Sequence, residues 1–202
     1  MRSPKTQPAA LAPPGTGPDA SAEDDAALVA RAQEDRGAFG PLYDRYADRV
    51  YRYCLRRLGT REAAEDATSQ TFTEALAGLA GFRGGSFAAW LFAIAHNVCA
   101  NAGRRHPNLP LDAAGDPPDS APHAAPEARA LADEATRELR ALLDVLPPDQ
   151  RRVAELRLAG LTGAEIAAAM GRSLAAVKML QVRALARLRA AHVVTERAGE
   201  PR

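Results

Sequence analysis

The stretch from Thr162 to Leu188, TGAEIAAAMGRSLAAVKMLQVRALARL, constrains the fold more than any other part of the chain. Thr162 and Glu165 have capping-box spacing: the threonine oxygen accepts from the Glu165 amide while the carboxylate reaches back to the threonine N–H, which starts a helix. Ile166, Ala167 and Met170 give that helix an apolar side. Gly171 tolerates positive φ, and Ser173 can cap a second helix running through Leu188. The pattern predicts a helix-turn-helix. Because a helix, a glycine turn and another helix is also ordinary bundle grammar, charge has to separate DNA binding from plain packing. From Arg151 to Arg189 eight Lys/Arg stand against only Glu155 and Glu165. Such a field favours a polyanion such as duplex DNA, with the second helix as reader.

The formal net charge of +1 conceals this asymmetry. Residues 22–106 carry eleven basic and eleven acidic side chains, residues 107–135 one and six, and residues 136–202 twelve and seven. The C-terminal third is therefore the electrostatic candidate for nucleic acid, and the acidic middle is not. Abundant alanine and few aromatics favour helices, and no alternating strand pattern of useful length occurs. Residues 1–21 contain five prolines and few large apolar groups, and are expected to be a disordered extension. Pro107–Pro126 holds six prolines, three aspartates and no Lys or Arg, and reads as a linker.

The expected architecture is all-α: a helical block over 22–106, a flexible linker over 107–127, a second helical block over 128–193, and a polar tail over 194–202. In the first block Phe39, Leu42, Tyr43, Tyr46, Val50, Tyr53, Cys54 and Leu58 recur at helical steps, and Gly59 with Thr60 closes that helix. A second helix, from about Arg61 to Ala80, sets Phe72, Ala75, Leu76 and Leu79 opposite Glu65, Asp66, Ser69, Gln70 and Thr73. After the loop FRGGS, Ser86 can cap a third, with Phe87, Trp90, Leu91, Ile94, Ala95, Val98 and Ala102 on one stripe. A shorter helix over about Asp24–Gln33 precedes these. The second block opens with a helix carrying Leu131, Ala135, Leu139, Leu142, Leu143 and Leu146, stopped by Pro147 and Pro148, of which the pair can also start the next helix.

Taken in order, FGPLYDRYADRVYRYCLRRLG, AEDATSQTF, FRGGSFAAWLFAIAHN with RR following, LPPDQR and GLTGAEIAAAMGRSLAAVK resemble the bacterial extracytoplasmic-function (ECF) type RNA polymerase sigma factors, over about residues 24–193. The resemblance implies that the first block binds the clamp helices of the polymerase β′ subunit and opens promoter DNA at the minus-10 element, and that the second binds the β flap and reads the minus-35 element. Carried onto this chain, the polymerase-binding row is Asp66, Ser69, Gln70 and Thr73. Relatives commonly have Gln then Glu or Asp at Ser69 and Gln70, so Asp66 carries more of this surface here. The minus-10 set is Phe82, Arg83, Ser86, Asn97, Asn101, Arg104 and Arg105. Its FRGGS loop falls where the family holds one unstacked nontemplate base; glycines let backbone approach a base, while amides and guanidinium groups suit base edges and phosphates.

The minus-35 set is Arg172, Ser173, Ala175, Ala176, Lys178, Met179 and Arg183 on the reader helix. Relatives often have Gly-Thr where Ala175-Ala176 stand and Ser-Arg where Met179-Leu180 stand, and Gln181 replaces a usual aliphatic; fewer charged groups reach the groove, so apolar contact with thymine methyls or weaker binding is expected. The partners implied are core RNA polymerase, promoter DNA and an anti-sigma factor, with no membrane.

Phe87 and Trp90 read as core rather than stacking platforms, and Cys54 and Cys99 as small core residues. No cofactor and no metal site are expected: His96, His106, His123 and His192 lack metal spacing, and no phosphate loop or nucleophile motif occurs. The acid pairs Asp24–Asp25 and Glu65–Asp66 read as helix N-terminal charge and polar face. With no apolar leader and no run long enough to cross a bilayer, a cytoplasmic protein is expected. The rival class, a helix-turn-helix regulator with a helical sensor domain, explains residues 136–193 equally well but leaves AEDATSQTF and FRGGSFAAW unexplained.

Overall fold

The computed structural model describes residues 18–105 and 126–198, all of whose regular structure is helical. The first block comprises α1 (Pro18–Glu34), α2 (Gly40–Leu58), α3 (Arg61–Gly78) and α4 (Phe87–Arg105); the second comprises α5 (Pro126–Asp144), α6 (Pro148–Leu158), α7 (Gly163–Met170) and α8 (Leu174–Ala198). The all-α, two-block expectation holds. Most of the segment expected to be a disordered extension, most of the expected linker, and the end of the expected polar tail lie outside the described residues, as do His106 and His123.

Local signals place most helix ends. Gly59 ends α2 at φ +86, its N–H donating to the Leu55 carbonyl, and Thr60 caps α3 by accepting from the Ala63 amide. The predicted second helix shortens to Gly78 and finishes as a 3-10 turn, Leu79–Gly81. Ser86 caps α4, accepting from the Ala89 amide at 3.1 Å. Pro148 sits in the first turn of α6, where its missing N–H costs nothing. Three helices outrun their expected bounds; α5 starts at Pro126, so the last two residues of the linker expected over 107–127 are helical. α1 begins at Pro18 rather than near Asp24, so residues 18–21, expected to be disordered, are helical; a proline and acidic residues early in a helix suit its first turns. α8 continues to Ala198, past the expected stop at Leu188 and into the predicted tail, since nothing between His192 and Ala198 is a breaker.

The core of the first block is built on Leu42, Val50, Tyr53 and Cys54 of α2, Ala64, Phe72 and Ala75 of α3, and Leu91, Phe92 and Ala95 of α4. Tyr53 and Phe92, both fully buried, meet edge to face at 5.5 Å; burying each such side chain stabilises by about 2–3 kcal/mol. Cys54 and Cys99 are free and buried, as their sequence reading requires. Phe87 is buried in the core, and Trp90 is half-buried against Phe82 and Phe87.

Asp25 departs from its reading as helix N-terminal charge. With α1 starting at Pro18 it falls mid-helix and is buried, where Tyr46 donates its hydroxyl to one carboxylate oxygen and Arg45 pairs with the other at 2.6 Å. Burial, then that hydrogen bond to Asp25, pushes the Tyr46 hydroxyl far above its usual range. The network pins α1 against α2.

The two blocks are not separate beads. Val153, Leu156, Ala159, Leu161, Ile166 and Ala167 of the second belong to the same hydrophobic cluster as the first block's core. α7 packs on α4, and α5 and α6 pack on α2. Polar bonds stitch the seam: Arg49 Nε donates to the Ala159 carbonyl at 2.8 Å, and Arg57 donates to Glu155 Oε2 at 2.7 Å. Glu155, 0% exposed, also accepts from Arg151 at 2.8 Å.

Candidate nucleic-acid interface

The helix-turn-helix forms as its sequence dictates. Glu165 N–H donates to Thr162 Oγ1 at 3.2 Å and Thr162 N–H to Glu165 Oε2 at 2.7 Å, completing the capping box. Gly171 takes φ +61 as the C-cap of α7, and Ser173 caps α8 by accepting from the Ala176 amide at 3.2 Å. Val177 and Ala184 are buried and seat α8 on the block. The opposite side presents the expected reader residues: Arg172, Ser173, Ala175, Lys178, Met179 and Arg183 are exposed and Ala176 half-buried. Met179 is 51% exposed, a large apolar area for a soluble surface that a thymine methyl could cover. Arg172 is paired with Asp149 at 2.6 Å, so any contact it makes with DNA competes with a carboxylate. Ser173 has its oxygen engaged as a cap, yet its O–H stays available to DNA.

The FRGGS loop forms the wall of a concave site. Gly84 and Gly85 take φ +93 and +88, a region L side chains rarely adopt. A cavity of about 280 Å³ opens between this loop and α1, lined by Asp25, Val29, Gln33, Arg83, Ser86 and Phe87 among others. Gln33 ties α1 to the loop, its amide donating to the carbonyls of Leu79 and Phe82 at 2.9 Å. The wall contributed by α1 was not read from the sequence; an exposed-looking glutamine carries no spacing signal for a contact 49 residues away. Phe82 is half-buried against Trp90, and Arg83 is exposed with NH1 donating to the Ala80 carbonyl. Asn97, Asn101 and Arg104 line an exposed side of α4, with Arg104 bonded to Asn101. Arg105 ends α4, and its side chain lies outside the described residues.

Asp66, Ser69, Gln70 and Thr73 are all exposed on α3, one continuous polar row. Gln70 donates to Glu74 at 3.0 Å and Thr73 to the Ser69 carbonyl at 2.9 Å, while Asp66 has no hydrogen bond or ion pair among the described residues. In the second block, Leu142 and Leu143 of α5, Leu158 of α6 and Leu185 and Leu188 of α8 line an apolar groove of about 630 Å³. This groove was not anticipated: the leucines of α5 read only as helical in spacing, and Leu142 stays half-exposed on it.

Among the described residues no cluster of His, Cys, Asp and Glu could hold a metal, and no helix is long and apolar enough to cross a membrane. Burial, with Arg152 and Arg57 nearby, holds His96 down at about 4, so its ring is neutral where Tyr53 hydrogen-bonds it at 3.1 Å.

A helical block bearing a glycine-walled pocket, followed by a basic helix-turn-helix, is the architecture of a sigma-70 type initiation factor. Residues 42–107 match Sigma-70 region 2 and residues 136–188 match Sigma-70, region 4. The chain belongs to the ECF family of RNA polymerase sigma factors. It is 40% identical to the ECF RNA polymerase sigma factor BldN of Streptomyces coelicolor over 169 residues, 80% of this chain and 64% of BldN. It is 32% identical to the ECF sigma factor SigD of Mycobacterium tuberculosis over 175 residues, 82% of each chain. The chain thus spans slightly under two thirds of BldN's own length. Among solved structures it is similar to CnrH, in complex with the cytosolic domain of CnrY, at a TM-score of 0.67 and 25% identity, covering 84% of this chain and 97% of CnrH. The region 2 match covers the block that a helix-turn-helix regulator leaves unexplained.

Proposed function

We propose that this chain binds core RNA polymerase and directs it to promoters, with the first block docking on the β′ clamp helices through Asp66, Ser69, Gln70 and Thr73. The same block opens the minus-10 element, taking one unstacked base into the FRGGS pocket beside Phe82, Arg83 and Ser86. Asn97, Asn101, Arg104 and Arg105 guide the strand away along α4. The second block reads the minus-35 element with α8, and its leucine-lined groove takes an apolar helix of the β flap. The chain does no covalent chemistry; that belongs to the polymerase, and the assembly works in the cytoplasm. The likeness to CnrH supports a protein partner as well, which the resemblance identifies as an anti-sigma factor.

The observation carrying this reading is the pairing, on one chain, of a base-sized cavity at a positive-φ glycine loop with a capped, basic helix-turn-helix. Extruding a base costs a few kcal/mol, and a pocket that accepts it recovers part of that cost while the second module holds the duplex upstream. The test is reconstitution. Purified chain mixed with sigma-depleted core polymerase should co-elute with it and support run-off transcripts from a library of genomic promoter fragments. Failure to co-elute and to initiate would overturn the assignment.

A further inference from the structure

Cys54 and Cys99 take no part in the surfaces described above, yet the fold brings them together. Cys54 falls on the buried stripe of α2 and Cys99 on that of α4, and both are free thiols, 0% and 3% exposed. Across the contact between those helices the two sulfurs share a hydrogen bond. Sulfurs within hydrogen-bond reach need close by only about 1–2 Å to attain a disulfide's separation of about 2 Å. A metal is not what the pair awaits. Among the described residues no group of His, Cys, Asp and Glu could hold one, so the chemistry left to the pair is that of sulfur.

The surroundings distinguish the two sulfurs. The hydrogen bond from Cys99, working against burial, holds the Cys54 thiol below its usual range, and the guanidinium groups of Arg57 and Arg56 add to that. On Cys99 the same hydrogen bond and burial both push upward, and Arg57 is opposed there by Glu155, so the proton stays on Cys99. Arg56 supplies an observation independent of titration. It is 7% exposed, and its Nε and NH2 are buried without a hydrogen-bond partner among the described residues. Orphan donors on a buried cation are costly. The field of Cys54 reaches that guanidinium, so a thiolate there gives it a counter-charge.

We infer that Cys54 and Cys99 form an oxidisable dithiol, Cys54 attacking and Cys99 resolving, which closes to a disulfide that staples α2 to α4. The oxidant is a hydroperoxide, hydrogen peroxide in the simplest case. The Cys54 thiolate attacks one peroxide oxygen and the O–O bond breaks; the released hydroxide takes up the proton Cys54 had lost, leaving a sulfenic acid and water. The Cys99 sulfur then attacks Cys54, the S–O bond breaks, and the departing hydroxide takes the Cys99 proton as a second water. The two thiols together lose two electrons and two protons, and the peroxide is reduced to two waters. Peroxide is close to water in size and gains entry where α4 opens. Cys99 stands in the last two turns of that helix, which ends at Arg105, and helix ends open at little cost. A dithiol reductant reverses the bond by exchange. None of this depends on the polymerase or DNA assignments.

The test exposes reduced full-length chain to hydrogen peroxide, quenches it with an alkylating reagent and digests it with trypsin without reduction. Cleavage at the flanking arginines releases residues 53–56 and 84–104. These should appear as one linked species, about 2 Da lighter than the two peptides summed, and come apart on adding dithiothreitol. Because the bond closes a loop of about 45 residues, the oxidised chain should melt about 5–10 °C above the reduced one by circular dichroism. Cys99→Ser should stop at a sulfenic acid on Cys54, trapped by dimedone, with no gain in melting temperature, and Cys54→Ser should leave Cys99 unmodified. Two thiols that both remain alkylatable, at peroxide exposures that already oxidise the methionines, would overturn the inference. Linkage found only between chains, or only in urea, would do the same. If either variant unfolds, the wild-type peptide map and its reversal decide alone.

Discussion

Removing Arg57 should uncouple the two blocks, and the size of the effect can be worked from the seam. The Arg57 guanidinium lies 2.7 Å from Glu155, which is fully buried, while Arg57 itself keeps about a fifth of its side chain in solvent. At an effective dielectric of about 20 the bare attraction at that distance is roughly 6 kcal/mol, and desolvation takes back most of it. Breaking a buried pair outright costs about 3–5 kcal/mol. Here Glu155 retains Arg151 at 2.8 Å and Arg57 is partly hydrated, so Arg57→Ala should cost about 2 kcal/mol. That is about a 30-fold shift toward separated blocks. Urea unfolding followed by two probes reads this directly. Trp90, the single tryptophan, reports the first block, and far-ultraviolet circular dichroism reports both. The two curves should coincide in the wild type and part in Arg57→Ala. In a double-mutant cycle with Glu155→Ala, a coupling below about 0.5 kcal/mol would refute the claim that this pair links the blocks.

Arg183→Ala should weaken binding to minus-35 duplex about three- to tenfold and lower its salt dependence, with polymerase association intact; equal loss of both in filter-binding and co-elution assays would count against the reader assignment. Asp66→Ala should reduce core polymerase association at unchanged thermal stability, because its carboxylate is exposed on α3, and unaltered affinity by surface plasmon resonance would remove that assignment. His96 is depressed to about 4 in the fold against about 6.5 unfolded. Between those values the unfolded chain binds more protons, so the stability present above pH 6.5 falls as the pH drops toward 4, by about 2 kcal/mol once the ring's partial exposure is allowed for. His96→Gln should flatten that slope in urea titrations at each pH.

What was legible in the sequence was what the chain decides locally. Thr162 with Glu165, Ser173, Ser86 and Gly59 each act over three or four residues, and each takes its expected role. Helical spacing likewise separated the buried stripe of α3 from its exposed row, since one helix determines both. The cross-block contacts left no such trace. Arg57 and Glu155 are 98 positions apart and Ser86 and Glu165 are 79 apart, so no periodicity marks either pair. Glu155 and Glu165 stood in the sequence only as the acidic minority in a basic segment; in the structure one is the hub of the seam and the other faces the pocket. Asp25 was misread for a related reason. Its role depends on where α1 begins, and helix starts without a side-chain cap are weakly written in sequence.

The polar row on α3 faces water while Arg57 and Glu155 hold the two blocks together. A chain built this way can meet a partner along α3 without first parting its halves, so docking there and any rearrangement of the seam are separable events.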